Sequence, residues 1–198
     1  MGGFVVKKSG AAGSPSPPGT PTLNISILSD MFDGSHSMRL PLTTAGYLTS
    51  TAWTALLVAT FDVAGSDNTP SGGGQRCPVV DAGGYWGIGL GNTAMVAWHH
   101  DGAYKAVTVA ATTGVKYGIL AVMGSGTLTL TVSGVSPSSL GSIGTMGSTA
   151  SAVDLGINAS AEYFDGRLWR CVLWASALSS GDQTLAQAYA TATEGVTW

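Results

Sequence analysis

The sequence has few charged residues. Asp, Glu, Lys and Arg make up 10% of the chain, against roughly a quarter in an ordinary soluble domain. Apart from the neighbours Lys7 and Lys8, the eight Lys and Arg are spread singly and the net charge is −3, so no basic stripe is present that could neutralise phosphates. We therefore expect no nucleic-acid partner. Because the charged coat of a free monomer is thin, we also expect a homo-oligomer whose surface is partly covered.

Long hydrophobic runs are also missing, although 44% of the residues are hydrophobic. No apolar stretch approaches the roughly 20 residues that span a bilayer. At the N-terminus, the apolar residues 4–6 come before Lys7 and Lys8, the reverse of the order in a secretion signal. We expect neither membrane insertion nor a secretion signal.

Cysteine is nearly absent, and motifs for nucleophilic or metal chemistry are missing. Cys77 and Cys171 have neither Cys-x-x-Cys spacing nor a nearby His, which disfavours zinc and redox roles. Buried free thiols are the favoured interpretation, with one disulfide as the alternative. His99 and His100 are adjacent, so on a strand they point to opposite faces and cannot both bind one ion. We predict no metal site there.

What the sequence has in abundance is strand and turn signals. It contains 29 glycines, which suit short strands joined by tight turns. Runs rich in β-branched and aromatic residues predict eleven strands, over residues 23–28, 38–42, 54–61, 77–80, 85–90, 94–99, 104–110, 117–123, 127–133, 152–155 and 168–174. A helix is predicted only at the C-terminus, over 180–192, where Ser180 and Gln183 form a capping box with Asp182 in the first turn.

The turn and composition signals also predict two hairpins and divide the chain into an N-terminal arm and one domain. Asp101-Gly102 predicts a two-residue turn that places His99 opposite Tyr104, and residues 124–126 predict a second hairpin. Residues 1–22 are rich in Gly and Pro, and we expect a flexible N-terminal arm. Residues 23–198 form a single β-sandwich domain in this interpretation.

The segment 151–190 carries a family resemblance. An aliphatic strand ends at Gly156, and the turn Phe164-Asp165-Gly166 leads into the strand over 168–174. Ala177-Leu178-Ser179 then comes before the helix. This order resembles the closing segment of laminin G-like domains, which belong to the concanavalin A-like lectin and glucanase sandwiches. Residues 31–40, 48–57 and 116–134 resemble earlier strands of the same family, so the resemblance covers about residues 26–190.

The resemblance implies an all-β fold, a two-sheet antiparallel jelly-roll sandwich with one short C-terminal helix. It also implies that Trp53, Trp169 and Trp174 occupy the sandwich interior. Members of this superfamily are sugar binders, hydrolases or structural modules. Family glucanases place a Glu-x-Asp-x-Glu run on one strand, and this chain has none, so we predict that it is not an enzyme. A glycoside hydrolase using Glu162 or Asp165 is the alternative.

Recognition is predicted at one end of the sandwich. The loop residues Asp67 and Asn68 and the hairpin residues His99, His100, Asp101 and Tyr104 combine hydrogen-bonding groups with rings, a mixture suited to surface glycans. We expect no cofactor; calcium, which some family members hold with loop oxygens, is the alternative at Asp67 and Asn68.

We predict that the protein is part of a larger assembly. This prediction rests on the N-terminal arm, the low fraction of charged residues and the lack of a secretion signal. We expect a phage-like virion decoration, spike or fibre protein on a virion or particle surface. There it would bind host glycans or reinforce the shell beside other structural proteins of the particle.

Overall fold

The structure is a computed structural model that describes residues 6–8, 15–27, 32–41, 51–70, 73–146, 152–158 and 162–198. These residues form fourteen strands and one helix. The elements are β1 (Val6–Lys8), β2 (Leu23–Ile27), β3 (Phe32–Asp33), β4 (Met38–Pro41), β5 (Trp53–Phe61), β6 (Arg76–Asp81), β7 (Trp86–Leu90), β8 (Ala94–His100), β9 (Tyr104–Ala110), β10 (Lys116–Gly124), β11 (Thr127–Val132), β12 (Ser138–Leu140), β13 (Ala152–Leu155), β14 (Asp165–Trp174) and α1 (Ser180–Glu194).

The strands form two antiparallel sheets packed face to face. The eight-stranded sheet has the order β1-β2-β14-β5-β10-β11-β12, with β3 also paired to β14. The six-stranded sheet has the order β4-β13-β6-β7-β8-β9. This architecture confirms the predicted jelly-roll sandwich with one C-terminal helix. The short strands β1, β3 and β12 were not predicted, and β1 lies within the predicted arm, paired with β2.

Alternation along the strands builds the main core between the sheets. In β11 the inward residues Leu128, Leu130 and Val132 are buried, while the residues between them are partly exposed. This period of two is expected for a strand with one solvated face.

A second core lies on the other side of the eight-stranded sheet, under α1. Leu56 and Val58 of β5 pack there with Tyr189 and Ala190 of the helix. Because both faces of β5 are covered, eight of its nine residues are fully buried. The molecule therefore has three layers, two sheets and a helix.

The three tryptophans expected in the sandwich interior divide between these layers. Trp53 lies in the main core, as predicted. The prediction is wrong for Trp174, which packs in the cluster under α1, and for Trp169, which is only partly buried beside it. Lys116 Nζ and Arg167 Cζ lie 4.0 and 3.6 Å from the centre of the Trp169 ring. A bulge between Leu168 and Arg170 explains the difference. Before the bulge, the even-numbered residues of β14 face the main core, whereas after it the odd-numbered residues do.

The N-cap of the C-terminal helix lies one residue earlier than predicted. Ser179, rather than Ser180, is the N-cap, and its Oγ accepts a hydrogen bond from the Asp182 backbone N–H at 3.2 Å. Ser179 Oγ also donates to the Asp182 carboxylate. The helix ends at Glu194. Its C-cap, Gly195, has φ +73° and adopts the left-handed conformation that favours glycine.

One predicted hairpin is confirmed and the other has a different register. Gly124 pairs with Thr127, so residues 125–126 form the two-residue turn between β10 and β11. Between β8 and β9, however, His100 pairs with Tyr104, leaving a three-residue turn. Asp101 Oδ1 accepts from the Ala103 backbone N–H and Gly102 has φ +108°. The expected pairing of His99 with Tyr104 is therefore wrong by one residue.

Candidate functional site

A continuous row of residues crosses the outer face of the six-stranded sheet. The neighbours of these residues in sequence pack into the main core, so their own side chains point away from it. In strand order from β4 to β9 the row consists of Arg39, Asp154, Val80, Gly87, Trp98 and Ala106.

An open groove of about 750 Å³ runs along this face over β13. The residues that line it come from β4 and the residue before it, from β13 and the segment after it, and from the β6–β7 turn. They are Ser37, Arg39, Ala82, Gly83, Asp154, Ile157 and Asn158. The lining is mainly polar, and the volume of the groove suits a small ligand.

An ion pair between Arg39 and Asp154 is the main polar feature of the groove. Arg39 Nε and Nη2 donate to Asp154 Oδ1 and Oδ2 at 2.6 and 2.7 Å. The Arg39 side chain is 64% exposed, whereas that of Asp154 is 11% exposed. Asp154 raises the pKa of the guanidinium. The pair therefore presents donors and acceptors side by side with no net charge.

Asn158 shapes one end of the groove by tying two loops together. Its Nδ2 donates to the carbonyl oxygens of Gly73 and of Gln75, the latter at 2.9 Å. Its Oδ1 accepts from the Glu162 backbone N–H at 2.9 Å. Because its amide makes these hydrogen bonds within the protein, we assign Asn158 a structural role at the end of the groove and not a role in ligand binding.

Trp98 closes the sheet surface next to the groove. Its Nε1 donates to the Gly84 carbonyl at 3.1 Å. Its indole lies across the backbone of Gly87, where an added Cβ would be 2.3 Å from the ring. Only a glycine allows so close an approach. The indole is consequently buried, with 4% of the residue exposed.

Beyond Trp98, three rings form a cluster that we name the aromatic shelf: Tyr85, His100 and Tyr104. The centres of the Tyr85 and His100 rings are 5.7 Å apart, and those of His100 and Tyr104 are 4.8 Å apart, both in edge-to-face contact. Tyr104 is 40% exposed and is the only aromatic among the strongly exposed large hydrophobic residues of the described part of the chain.

The predicted ligand residues at the β8–β9 hairpin come together only in part. His100 and Tyr104 face outward on the aromatic shelf, with Asp101 at the turn between them. The Asp101 carboxylate accepts from the Gly144 backbone N–H at 2.7 Å, which lowers its pKa. His99 points inward and is fully buried, with its Nδ1 3.3 Å from Trp53 Nε1. Burial lowers the His99 pKa.

The structure places the other two predicted residues, Asp67 and Asn68, at the opposite end of β8. Asn68 Nδ2 donates to Thr93 Oγ1 at 3.0 Å, next to the start of β8, and Asp67 Oδ1 accepts from the Thr69 backbone N–H at 2.8 Å. The seven residues of β8 separate them from the hairpin by about 20 Å. Within the described ranges, no three His, Cys, Asp or Glu side chains cluster closely enough to hold a metal ion.

Sequence reasoning missed Arg39 and Asp154. Each is a charged residue between two apolar ones, a pattern that marks the solvated face of a strand. The two are 115 residues apart in the chain, and only the pairing of β4 with β13 brings them together. A search for opposite charges at such alternating positions would have flagged both, although it could not have paired them.

The fold has close counterparts among solved structures, all at low sequence identity. One is the CBM40 domain of the Ruminococcus gnavus IT-sialidase bound to α2,6-sialyllactose, with a TM-score of 0.64 and 14% identity over 84% of this chain and 98% of that one. Another is domain 4 of AbnA, a GH43 extracellular arabinanase from Geobacillus stearothermophilus, in complex with arabinotriose. It has a TM-score of 0.61 and 16% identity over 94% of this chain and 82% of that one.

A larger counterpart is the NanB sialidase of Streptococcus pneumoniae, with a TM-score of 0.59 and 14% identity. The match covers 84% of this chain but only 28% of the sialidase, so the similarity concerns one part of that protein. No family model and no curated protein matches the sequence. The comparisons therefore support the two-sheet jelly-roll sandwich, whereas the concanavalin A-like and laminin G-like assignments stay predictions. Among the described residues, no helix is both long and apolar enough to cross a membrane.

Proposed function

We propose that this protein is a non-catalytic glycan-binding module that holds a sugar in the groove on the outer face of its six-stranded sheet. The observation that carries the proposal is the Arg39–Asp154 pair at the floor of an open groove of about 750 Å³. Sugar hydroxyls both donate and accept hydrogen bonds, so they pair well with adjacent guanidinium N–H groups and carboxylate oxygens.

The charge balance of the groove favours neutral sugars. The Arg39 fork is already paired with Asp154 at 2.6 and 2.7 Å, so its positive charge is compensated. The remaining N–H groups of the guanidinium and the free lone pairs of the carboxylate can still bond hydroxyl groups. A ligand carboxylate would have to compete with Asp154, whereas a neutral sugar would not.

Two of the structural counterparts support glycan binding, though not the preference for neutral sugars, through their ligands. The CBM40 domain was solved with sialyllactose and the arabinanase domain with arabinotriose. Both are sugar complexes on folds that resemble this one.

The glycoside hydrolase alternative has weaker support. Asp165 is the first residue of β14 in the eight-stranded sheet and lies opposite Asp33. Glu162 lies beside Asn158, at the end of the groove. Neither carboxylate is among the residues that line the groove, while an acid and a nucleophile need to flank one bond of the bound sugar. A polysaccharide whose turnover is lost in Glu162→Gln or Asp165→Asn would restore the alternative.

The proposal is tested by binding measurements on a glycan array, followed by calorimetry. We expect Arg39→Ala to weaken binding of a neutral glycan about tenfold, the cost of roughly one good hydrogen-bonding contact. Arg167→Ala removes an arginine from the other side of the molecule, beside Trp169, and should leave binding unchanged. Affinity should also vary little with salt, because no net charge is involved. If Arg39→Ala and Arg167→Ala bind equally well, the groove is not the site.

The assembly context is a separate proposal that rests on the sequence. With 10% charged residues, we propose a homo-oligomer on a virion or particle surface, as a decoration, spike or fibre component. Mass spectrometry of purified particles tests the location. Light scattering tests the oligomer, and a compact monomer at high micromolar concentration would refute it.

A further inference from the structure

The aromatic shelf adjoins the glycan groove. Gly83 lines the groove, and a Cβ on Gly83 would lie 2.6 Å from the Tyr85 ring. The Tyr85 ring therefore rests directly on the rim of the groove. From Tyr85, which precedes β7, the contacts continue through His100 at the end of β8 to Tyr104 at the start of β9.

The exposure of Tyr104 is the feature of the shelf that packing does not explain. The ring is held edge-to-face against His100, at an interplanar angle of 71°, yet 40% of the residue remains exposed. A ring that is fixed in orientation and open on one side loses little freedom when a flat apolar surface stacks on it. The apolar face of a sugar ring is such a surface.

We propose that the aromatic shelf is a second subsite of the same face, in which Tyr104 stacks against a distal sugar ring of a chain that begins in the groove. The ligand is thus an oligosaccharide of several rings that lies across the strands. Four strand spacings separate β13, under the groove, from β9, or about 19 Å. A monosaccharide cannot span that distance. This inference rests on the proposed function, because it needs the groove to hold the first sugar.

The test uses oligosaccharide ladders as probes. Neutral chains of one to about six residues, built from β-1,4-linked glucose, β-1,4-linked galactose and α-1,5-linked arabinose, are titrated into the wild-type protein by calorimetry. We expect the affinity to rise about tenfold at the chain length that first reaches the shelf, the gain typical of one stacked ring.

Three variants identify the source of that rise. Tyr104→Ala should remove it while leaving the affinity for the shortest bound sugar unchanged. Tyr104→Phe keeps the ring and should retain the rise. Arg39→Ala should weaken binding at every chain length by a similar factor. Leu185→Ala, at an exposed site on α1, is the control for loss of exposed apolar area. Far-UV circular dichroism and the Tm confirm that each variant is folded.

The outcomes separate the two proposals. If the wild type binds sugars without any rise along the ladder, or if the rise persists in Tyr104→Ala, the shelf proposal is overturned while glycan binding in the groove stands. If the Tyr104→Ala protein is folded but binds no sugar of any length, the shelf is the primary site and its role as a second subsite is wrong. If the wild type binds none of the ladders, both proposals fall.

Discussion

A single hydrogen atom at position 87 allows Trp98 to lie flat on the six-stranded sheet. A methyl group in its place would lie 2.3 Å from the indole, so Gly87→Ala must displace the ring or the strand. We expect a loss of about 1 to 3 kcal/mol in the free energy of unfolding, as for other overpacked sites. Urea unfolding followed by tryptophan fluorescence measures the loss and the change around Trp98.

The matched control for Gly87→Ala is Gly141→Ala. A Cβ at position 141 would meet only Thr127 Oγ1, at 4.0 Å, so stability should hardly change. Equal stability losses for the two variants would show that the indole does not pack on Gly87 as described.

His99 links the stability of the protein to pH. Burial lowers its pKa from 6.5, and the nearby His100 adds to that, while backbone contact with Gly144 and the charge of Asp101 oppose it. The unfolded chain therefore takes up a proton first as the pH falls. The contribution to stability is complete above pH 6.5 and is lost as the pH falls from 6.5 toward the lowered folded-state pKa.

We therefore expect wild-type stability to fall between pH 7.5 and pH 5 more steeply than that of His99→Leu. Urea unfolding curves at several pH values give the two slopes. Carboxylates such as Asp33 affect stability only at lower pH, because the pKa of Asp33 is about 2 in the folded protein and 3.8 in an ordinary setting. If both proteins lose stability in parallel above pH 5, His99 is not the titrating group.

At the scale of elements, α1 offers a pair of identical substitutions with opposite expected effects. Gly181 lies in the first turn, and a Cβ there would meet only Ser179 Oγ at 3.9 Å. Gly181→Ala should stabilise the protein by roughly 0.5 kcal/mol, because alanine loses less entropy in a helix. Gly195→Ala should destabilise it by about 1 kcal/mol, because φ is +73° there.

Thermal unfolding of both variants beside the wild type measures these changes. A stabilising Gly195→Ala would contradict the left-handed cap. A destabilising Gly181→Ala would mean that the first turn is not helical in solution.

The strands could be predicted from the sequence largely because their pattern is local. Alternating β-branched and aromatic residues bounded by Gly, Pro or Asp identified most of them. The helix was found from the polar residues of its first turn, although its N-cap is one residue earlier than predicted. β12, with the sequence Ser138–Leu140, carries no such signal. Its strand conformation depends on pairing with β11. The sequence of a short polar segment does not predict such a tertiary contact.

The hairpin at Asp101 shows how one residue changes a predicted site. A two-residue turn would have placed His99 beside Tyr104, and the additional residue Ala103 in the turn puts His100 there. Because side chains alternate, this shift places Tyr104 on the outward face beside His100, where the two-residue turn would have placed it on the inward face beside His99. The groove was beyond sequence reasoning for a different reason: Arg39 and Asp154 meet only through the sheet order β4-β13-β6.

At the scale of the whole molecule, β5 buries side chains both in the layer under α1 and in the layer between the sheets. Leu56 and Leu57 are adjacent in β5, face opposite layers and are both fully buried. Replacing either with Ala should cost about 2 to 5 kcal/mol. Urea unfolding should give one shared transition for both variants. A small loss for Leu56→Ala alone would mean that the helix layer is loosely attached.

The position of β14 has a consequence for how the chain is made. The last strand of the sequence sits between β2 and β5 in the middle of the eight-stranded sheet. During synthesis, residues 165–174 leave the ribosome long after β2 and β5, the two strands that β14 separates in the sheet. Until β14 is made, the facing edges of β2 and β5 have no partner strand. Such late, long-range closure is slow and leaves unpaired strand edges open to aggregation. Yield in a cell should therefore depend on how long these edges stay unpaired, and chaperones that cover the nascent chain should raise the soluble fraction.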